Sequence, residues 1–351
     1  MRIGLVIYNS LNTISGGYLY DRKLVEYLRQ QGDEVEIISL PYSNYTVHLT
    51  HNLQSLIPNS HFDLLLQDEL NHPSLFLLNR FLKGRFPIIS IVHHLRISEQ
   101  RPAWQNMFYR MIERAYLNSV DGFIFNSEAT RKVVESQLRS VRFSKPDRSV
   151  VAHPSGNRFN TIITPDQIRA RAMQTPFKIL FVGNLIRRKG LHTLLDALKL
   201  VSGNWELALV GNLNLDQLYV ESMQQQLTPQ MKMLGSLTDD QLAEQFATSH
   251  LLVVPSQYEG FGIVYLEGMG FGLPVIATTS GGAGEIITHG ENGFLIEQND
   301  SETLSRHLQS LIFDRDLLIQ MSLKALERFK QHPTWEESMR KVREFLSQMV
   351  K

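Results

Sequence analysis

Residues 255–287 read PSQYEGFGIVYLEGMGFGLPVIATTSGGAGEII, and this stretch decides how the chain is understood. An apolar run of strand length, residues 250–254, precedes it, and a second, residues 274–277, comes before its closing glycine cluster. Between the two runs, Gly260, Phe261 and Gly262 open a helical stretch over residues 263–269. In such a strand-loop-helix unit Glu259 lies on the loop beyond a strand's carboxyl end, and Glu267 lies on the helix that follows. The amides of Phe261 and Gly262 then point outward at a helix N-terminus, where free N–H groups and the dipole favour an anion or polar ligand. Glu267 stands among Val264, Leu266 and Met269 in a run that reads as buried. A buried carboxylate needs partners, and a hydroxyl-rich ligand supplies them. Taken singly, the first glutamate also reads as a partner for the dipole and the second as a solvated helix residue.

The combined pattern, Glu259-x7-Glu267 within EGFG, then GLPVIAT at 272–278, then GGAGE at 281–285, resembles the retaining glycosyltransferases of family 4. The resemblance covers most of the C-terminal half and extends more weakly over the rest. It implies an α/β protein of GT-B architecture, two Rossmann-like domains with parallel sheets facing a central cleft. Residues 1–165 would form the acceptor-side domain and residues 176–332 the nucleotide-sugar donor domain. The last helix, about residues 335–351, would cross back to the first domain with Trp335 as its anchor. The implied reaction moves a sugar from a nucleoside-diphosphate sugar to an acceptor hydroxyl, on a sugar, a lipid-linked molecule or a small molecule, with retention of configuration. Glu267 would hold the ribose, and Glu259, with Gly260, Phe261 and Gly262, the sugar. The nucleotide sugar is a co-substrate, and no metal or other cofactor is expected. The fold also supports nucleotide-sugar epimerases and phosphorylases, and a non-catalytic nucleotide-sugar scaffold is a further alternative.

Composition bounds the answer independently. The chain has 351 residues, 43% hydrophobic and 20% charged, which suits two globular domains. Thirty-five basic residues balance thirty-five acidic ones, so bulk electrostatic binding of nucleic acid is not expected. The absence of cysteine excludes disulfides, thiol catalysis and thiolate metal sites. Met1 and Arg2 lead directly into an apolar run ending at Asn9, and no segment reaches membrane-spanning length. A cytosolic enzyme fits, with peripheral membrane contact through the first domain as an open question.

In chain order, residues 3–8 read as a buried parallel strand, and Gly16 and Gly17 precede a helix over residues 18–31. These glycines do not make the dinucleotide fingerprint. They resemble the family's N-terminal glycine loop, which implies contact with the donor diphosphate. Residues 88–92 form a strand ending in His93 and His94, where doubly wound sheets place ligands. The run IVHHL is similar to the family's strand-end histidine, so His93 is the candidate for contact with transferred sugar or acceptor and His94 is second; a purely structural histidine is the other reading. Ser127 reads as the cap of a helix containing Arg131.

Residues 101–119 carry Trp104, Met107, Phe108, Met111 and Ile112 beside Arg101, Arg110 and Arg114, and residues 101–150 hold nine Lys or Arg against five Asp or Glu. Such a helix suits either an anionic membrane surface or the face of a sheet. Residues 160–176 are polar and read as a linker. A second β-α-β series begins at Phe177, with the loop GNLIRRKG at 183–190 placing Arg187, Arg188 and Lys189 just before a helix, where cations and amides can cradle phosphates. It resembles the family's phosphate loop, with Lys189 matching the lysine. Asn184 occupies the usual arginine position, leaving Arg187 or Arg188 to supply the second cation. Thr238 caps a helix whose first-turn Asp239 and Asp240 need only the dipole to explain them. Three helices, about 301–311, 315–329 and 335–350, finish the chain, with His332 and Pro333 breaking the last pair.

Overall fold

Short apolar runs alternating with amphipathic stretches produce twelve strands and fourteen helices among the described residues. The computed structural model describes residues 1–13, 15–50, 61–99, 101–138, 148–159 and 163–350. The chain divides into two units, Met1–Pro154 with Pro333–Lys351, and Ser155–His332.

The first unit runs β1 Arg2–Tyr8, α1 Gly16–Gln30, β2 Glu34–Leu40, α2 Tyr45–Thr50, β3 Leu64–Asp68, α3 His72–Leu75, α4 Leu78–Leu82, β4 Ile88–Val92, α5 Ala103–Leu117, β5 Gly122–Phe125, α6 Glu128–Gln137 and β6 Ser149–Val151. Its six strands form one parallel sheet in the order β2-β1-β3-β4-β5-β6, with Ile3 paired to Val35 on one side and Leu64 on the other. Strands β3, β4 and β5 are buried along their whole length, as uninterrupted runs such as Ile88-Ile89-Ser90-Ile91-Val92 require when helices cover both faces. The strand order reverses between β1 and β3, so the loops leaving their carboxyl ends diverge and leave a crevice. Right-handed crossovers then put α1 on one face and α2 to α6 on the other.

The second unit runs α7 Pro165–Ala172, β7 Phe177–Val182, α8 Leu191–Leu198, β8 Trp205–Val210, α9 Gln217–Gln224, β9 Met231–Gly235, α10 Asp239–Thr248, β10 Leu251–Val254, α11 Ile263–Gly270, β11 Val275–Thr278, β12 Gly293–Ile296, α12 Ser301–Phe313 and α13 Arg315–Gln331. Its parallel sheet has the order β12-β11-β10-β7-β8-β9, reversing between β7 and β10. Helix α14, Trp335–Met349, belongs to the first unit. There Ser338 Oγ donates to the His153 carbonyl at 2.7 Å, Lys341 Nζ to the Val151 carbonyl at 2.7 Å, and Arg343 Nε to Asp33 Oδ2 at 2.7 Å. Trp335 is buried, its ring edge-on to Tyr20. Among the described residues no helix is long and apolar enough to cross a membrane.

Two sequence expectations need correction. Helix α1 starts at Gly16, two residues early, because Ser15 caps it by accepting from the Tyr18 amide, so both glycines lie in its first turn. Part of the expected linker is helix α7, opened by a reciprocal Thr164 and Gln167 capping box; residues 160–162 of that stretch lie outside the described residues. At eight residues, α7 is too short and too polar to show a helical period. It nonetheless buries Ile168, Ala172 and Arg171 within the second unit, which already begins at Ser155. Arg171 donates from Nη1 to the Ala247 carbonyl at 3.2 Å and from Nη2 to the Gly272 carbonyl at 2.9 Å, and burial pushes its guanidinium down to about 10. Replacing Arg171 by alanine strands both carbonyls. Denaturant unfolding of Arg171→Ala should show a loss of about 2–3 kcal/mol, whereas a true linker residue would cost nothing measurable.

Candidate functional site

In the second unit, the chemistry gathers where the strand order reverses. Lys189 ends the loop after β7 and Glu259 lies on the loop after β10, and the two strands are neighbours, with Leu252 paired to Leu180. The Lys189 ammonium and a Glu259 carboxylate oxygen form an ion pair, both side chains mostly buried. Ser256 Oγ donates to the same oxygen at 2.7 Å. Burial by itself would raise the Glu259 carboxyl, but the charges of Lys189 and Arg188 overcome it and hold the group at about 2. Burial, reinforced by Arg188, pulls the Lys189 ammonium below the usual lysine range, with Glu259 opposing.

The loops carrying this pair are tied backbone to backbone. Gly190 has φ +73°, and a Cβ there would lie 2.0 Å from the Pro255 carbonyl oxygen. Gly281, the first glycine of GGAGE, has φ +88° and a Cβ there would lie 1.9 Å from the Glu259 carbonyl oxygen, which accepts from the Gly282 amide at 2.9 Å. Glycine is therefore demanded at both positions by close approach as well as by dihedral angle. Arg188 Nη1 donates to the Tyr258 carbonyl at 2.8 Å, and the Gln257 amide donates to the Arg188 carbonyl at 2.8 Å. Arg188 thus braces the Glu259 loop, while Arg187 is exposed. Asn184 is half-buried early in the same loop. Gly260, Phe261 and Gly262 lead into α11, where Gly262 is the N-cap at φ +97° and Phe261 is buried.

Glu267 lies on the buried side of α11. Its carboxylate is met by a cation rather than left waiting for a ligand: Arg158 Nε donates to Oε1 at 2.6 Å and Nη2 to Oε2 at 3.4 Å. Burial raises the carboxyl and Arg158 opposes the rise. The guanidinium also stacks 4.5 Å from the Phe159 ring centroid and reaches Asp239 at 2.7 Å. Asp239 thus has a partner besides the helix dipole.

In the first unit, the sequence candidates meet at the crevice beside β1, β3 and β4. His93 ends β4, and its Nε2 donates to Asp21 Oδ1 at 3.2 Å; Asp21 lies on α1 and is fully buried. Gly17 faces the same ring, since a Cβ there would sit 3.0 Å from His93 Cδ2. Gly16 is the first residue of α1. Burial works against an imidazolium here, but Asp21 first, then Asp68 and Glu69, lift His93 to about 9. Asp68, the last residue of β3, is itself pushed up to about 7 by burial, with Asp21 adding to the rise. His94 bonds Glu99 at 3.1 Å, away from this group.

Ligand atoms of Asp21, Asp68 and His93, and separately of Glu69, His72 and Glu113, lie within 4.8 Å of one another. In the first group His93 Nε2 is hydrogen-bonded to Asp21 Oδ1 at 3.2 Å. In the second group His72 Nδ1 bonds the Glu69 carbonyl at 3.0 Å and Nε2 the Tyr45 hydroxyl at 2.9 Å, so both ring nitrogens are already used.

Sequence reasoning missed Asp21, Asp68 and Arg158. The rule that singled out His93, a polar residue at a parallel strand's carboxyl end, also finds Asp68. Asp21 carries no such signal on its amphipathic helix, and Arg158 is separated from Glu267 by 109 positions.

Residues 165–328 match the family model described as "Glycosyl transferases group 1". An uncharacterized glycosyltransferase of Methanocaldococcus jannaschii, MJ1178, is 36% identical over 171 residues; the match spans 48% of this chain and about half of that protein, 48%. An uncharacterized glycosyltransferase of Haemophilus influenzae is 23% identical over 345 residues, covering 92% of this chain and 94% of the relative. Among solved structures, the sucrose-phosphate synthase of Thermosynechococcus elongatus superposes with a TM-score of 0.81 at 19% identity, covering 99% of this chain and 98% of that one. Anabaena Alr3699/HepE in complex with UDP-glucose gives 0.75 at 22% identity, covering 99% of each. The fold is GT-B.

His93 is expected to remain charged at neutral pH. Its folded value is raised, so the pairing stabilises the chain fully below the ordinary histidine value near 6.5 and loses that effect as pH rises through about 9. Nitrogen-15 NMR of the His93 ring should show imidazolium at pH 7.5 and a neutral ring in Asp21→Asn. A neutral wild-type ring at that pH would contradict the assignment.

Proposed function

We propose that the chain transfers a sugar from a nucleoside-diphosphate sugar to an acceptor hydroxyl, with retention of anomeric configuration and without a metal. The observation that carries this reading is the Lys189 and Glu259 ion pair at the reversal of the second sheet, within the stretch matching the group 1 family model. In the ligand-free chain each charge satisfies the other. Donor binding exchanges the partners: the ammonium turns to the diphosphate and the carboxylate to hydroxyls of the sugar.

As the bond from the anomeric carbon to the diphosphate oxygen breaks, its electron pair stays on that oxygen. Lys189 stabilises the growing charge, Arg187 stands in for the cation missing at Asn184, and the Phe261 and Gly262 amides add fixed dipoles. The acceptor oxygen bonds to the anomeric carbon on the face the diphosphate leaves, and its proton passes to the departing phosphate. Glu267 serves the ribose, held in place by Arg158. In the first unit, Gly16 and Gly17 offer first-turn amides suited to a phosphate, and His93 offers a charged donor suited to a sugar hydroxyl. HepE was solved with UDP-glucose, which makes uridine diphosphate the first nucleotide to try.

The two glutamates and the lysine have different jobs and so different signatures. Lys189→Ala should weaken nucleoside diphosphate binding and slow transfer. Glu267→Gln should weaken nucleoside diphosphate and sugar nucleotide alike, because both contain the ribose. Glu259→Gln should spare nucleoside diphosphate and depress turnover, since its partner is the sugar that changes in the transition state. Each loss should be on the order of 1–3 kcal/mol, read by calorimetry beside steady-state rates. Equal effects of the two glutamate variants on nucleoside diphosphate affinity would remove the division of labour, and no effect from any of the three would remove the site.

A further inference from the structure

Helix α5 settles which side of its amphipathic pattern meets the protein. Ile112, Glu113, Tyr116 and Leu117 are buried, and Glu113 accepts from the Arg96 amide at 2.6 Å. The outward side is not the polar one. Trp104 is 69% exposed, Met107 71%, Met111 60% and Phe108 38%. At 100° per residue these four fall on one continuous arc of the helix. Arg110 and Arg114, both exposed and in no ion pair among the described residues, flank it on one side. The only acid in α5 is the buried Glu113, so the outer face carries positive charge alone. Arg101, by contrast, is occupied by Glu99 and stacks over Tyr109.

An apolar surface on this scale has a cost in water that a monomer normally avoids. Its chemistry selects one occupant. Unbranched methionines and one tryptophan suit a disordered apolar phase with a wet boundary, and arginines without acids suit phosphates. We propose that the outer face of α5 docks on the surface of an anionic lipid bilayer. Trp104, Met107, Phe108 and Met111 enter the boundary between headgroups and acyl chains, and Arg110 and Arg114 lie against lipid phosphates. The helix lies in the membrane plane along its length of roughly 22 Å. This goes beyond the transfer reaction proposed above, and it brings the chain to the place where a lipid-borne acceptor hydroxyl is presented.

The test uses the full chain with no donor or acceptor, so its failure and that of the transfer reading are separable. Co-sedimentation with vesicles of phosphatidylcholine mixed with phosphatidylglycerol is compared with pure phosphatidylcholine, with tryptophan fluorescence as a second readout. The wild type should bind the anionic vesicles and blue-shift, and bind pure phosphatidylcholine weakly. Met107→Glu/Met111→Glu should lower partitioning at least ~10-fold with an unchanged melting curve by circular dichroism, because both positions are exposed. Arg110→Ala/Arg114→Ala should lower it about fivefold per arginine and flatten its salt dependence. Wild-type protein that ignores anionic vesicles overturns the proposal, as does undiminished binding by both variants. Self-association through this face, lost in the glutamate variant without any vesicle binding, overturns it in favour of a second copy of the chain.

Discussion

A carboxylate taken out of water must bring a cation with it, and the Lys189 and Glu259 pair is how the second unit meets that demand. The pair exists because the sheet reverses its order between β7 and β10, so that one loop carries the ammonium and the other the carboxylate. Both loops are pinned by contacts that only glycine permits, Gly190 against Pro255 and Gly281 against Glu259. The bracing of the Glu259 loop by Arg188 and the burial of Phe261 follow from the same arrangement. The pair is charged and satisfied within the chain itself, and the loops that carry it are held by their own hydrogen bonds.

The first unit uses the same topological device with opposite electrostatics. Its crevice holds Asp21 and Asp68 around one imidazolium, His93, with Glu69 close by. The acids outnumber the base, and burial drives Asp68 to about 7, so the group keeps a proton within reach of neutral pH. The second unit instead sets two cations near one carboxylate and holds it ionised at about 2.

The sequence made the alternation of strands and helices legible wherever burial was complete. Strand β4 falls on the residues its apolar run selects, because a strand covered on both faces has no other composition available. Helix α7 was hidden, since eight mostly polar residues cannot display a period and its tie to the fold is a buried arginine whose acceptors lie 76 and 101 positions away. The motif residues Lys189, Glu259 and Glu267 stood out because loop ends and glycines mark them locally. Their partners are a different matter. The sequence assigns Glu267 a hydroxyl-rich ligand as its partner, and Arg158 becomes visible only once the chain has folded, as does Asp21 beside His93.

The central claim is that the charged loops at the reversal of the second sheet form a site for a nucleoside diphosphate. Thermal unfolding of the unmodified chain with a panel of nucleoside diphosphates and their sugars, in the presence of a chelator, tests it directly. A ligand that binds only the folded chain stabilises it by about 2.7 kcal/mol at one hundred times its dissociation constant. The account predicts that one nucleoside diphosphate and its sugar both raise Tm while the free base does not. No rise with any member of the panel, or a rise that the chelator abolishes, would contradict it.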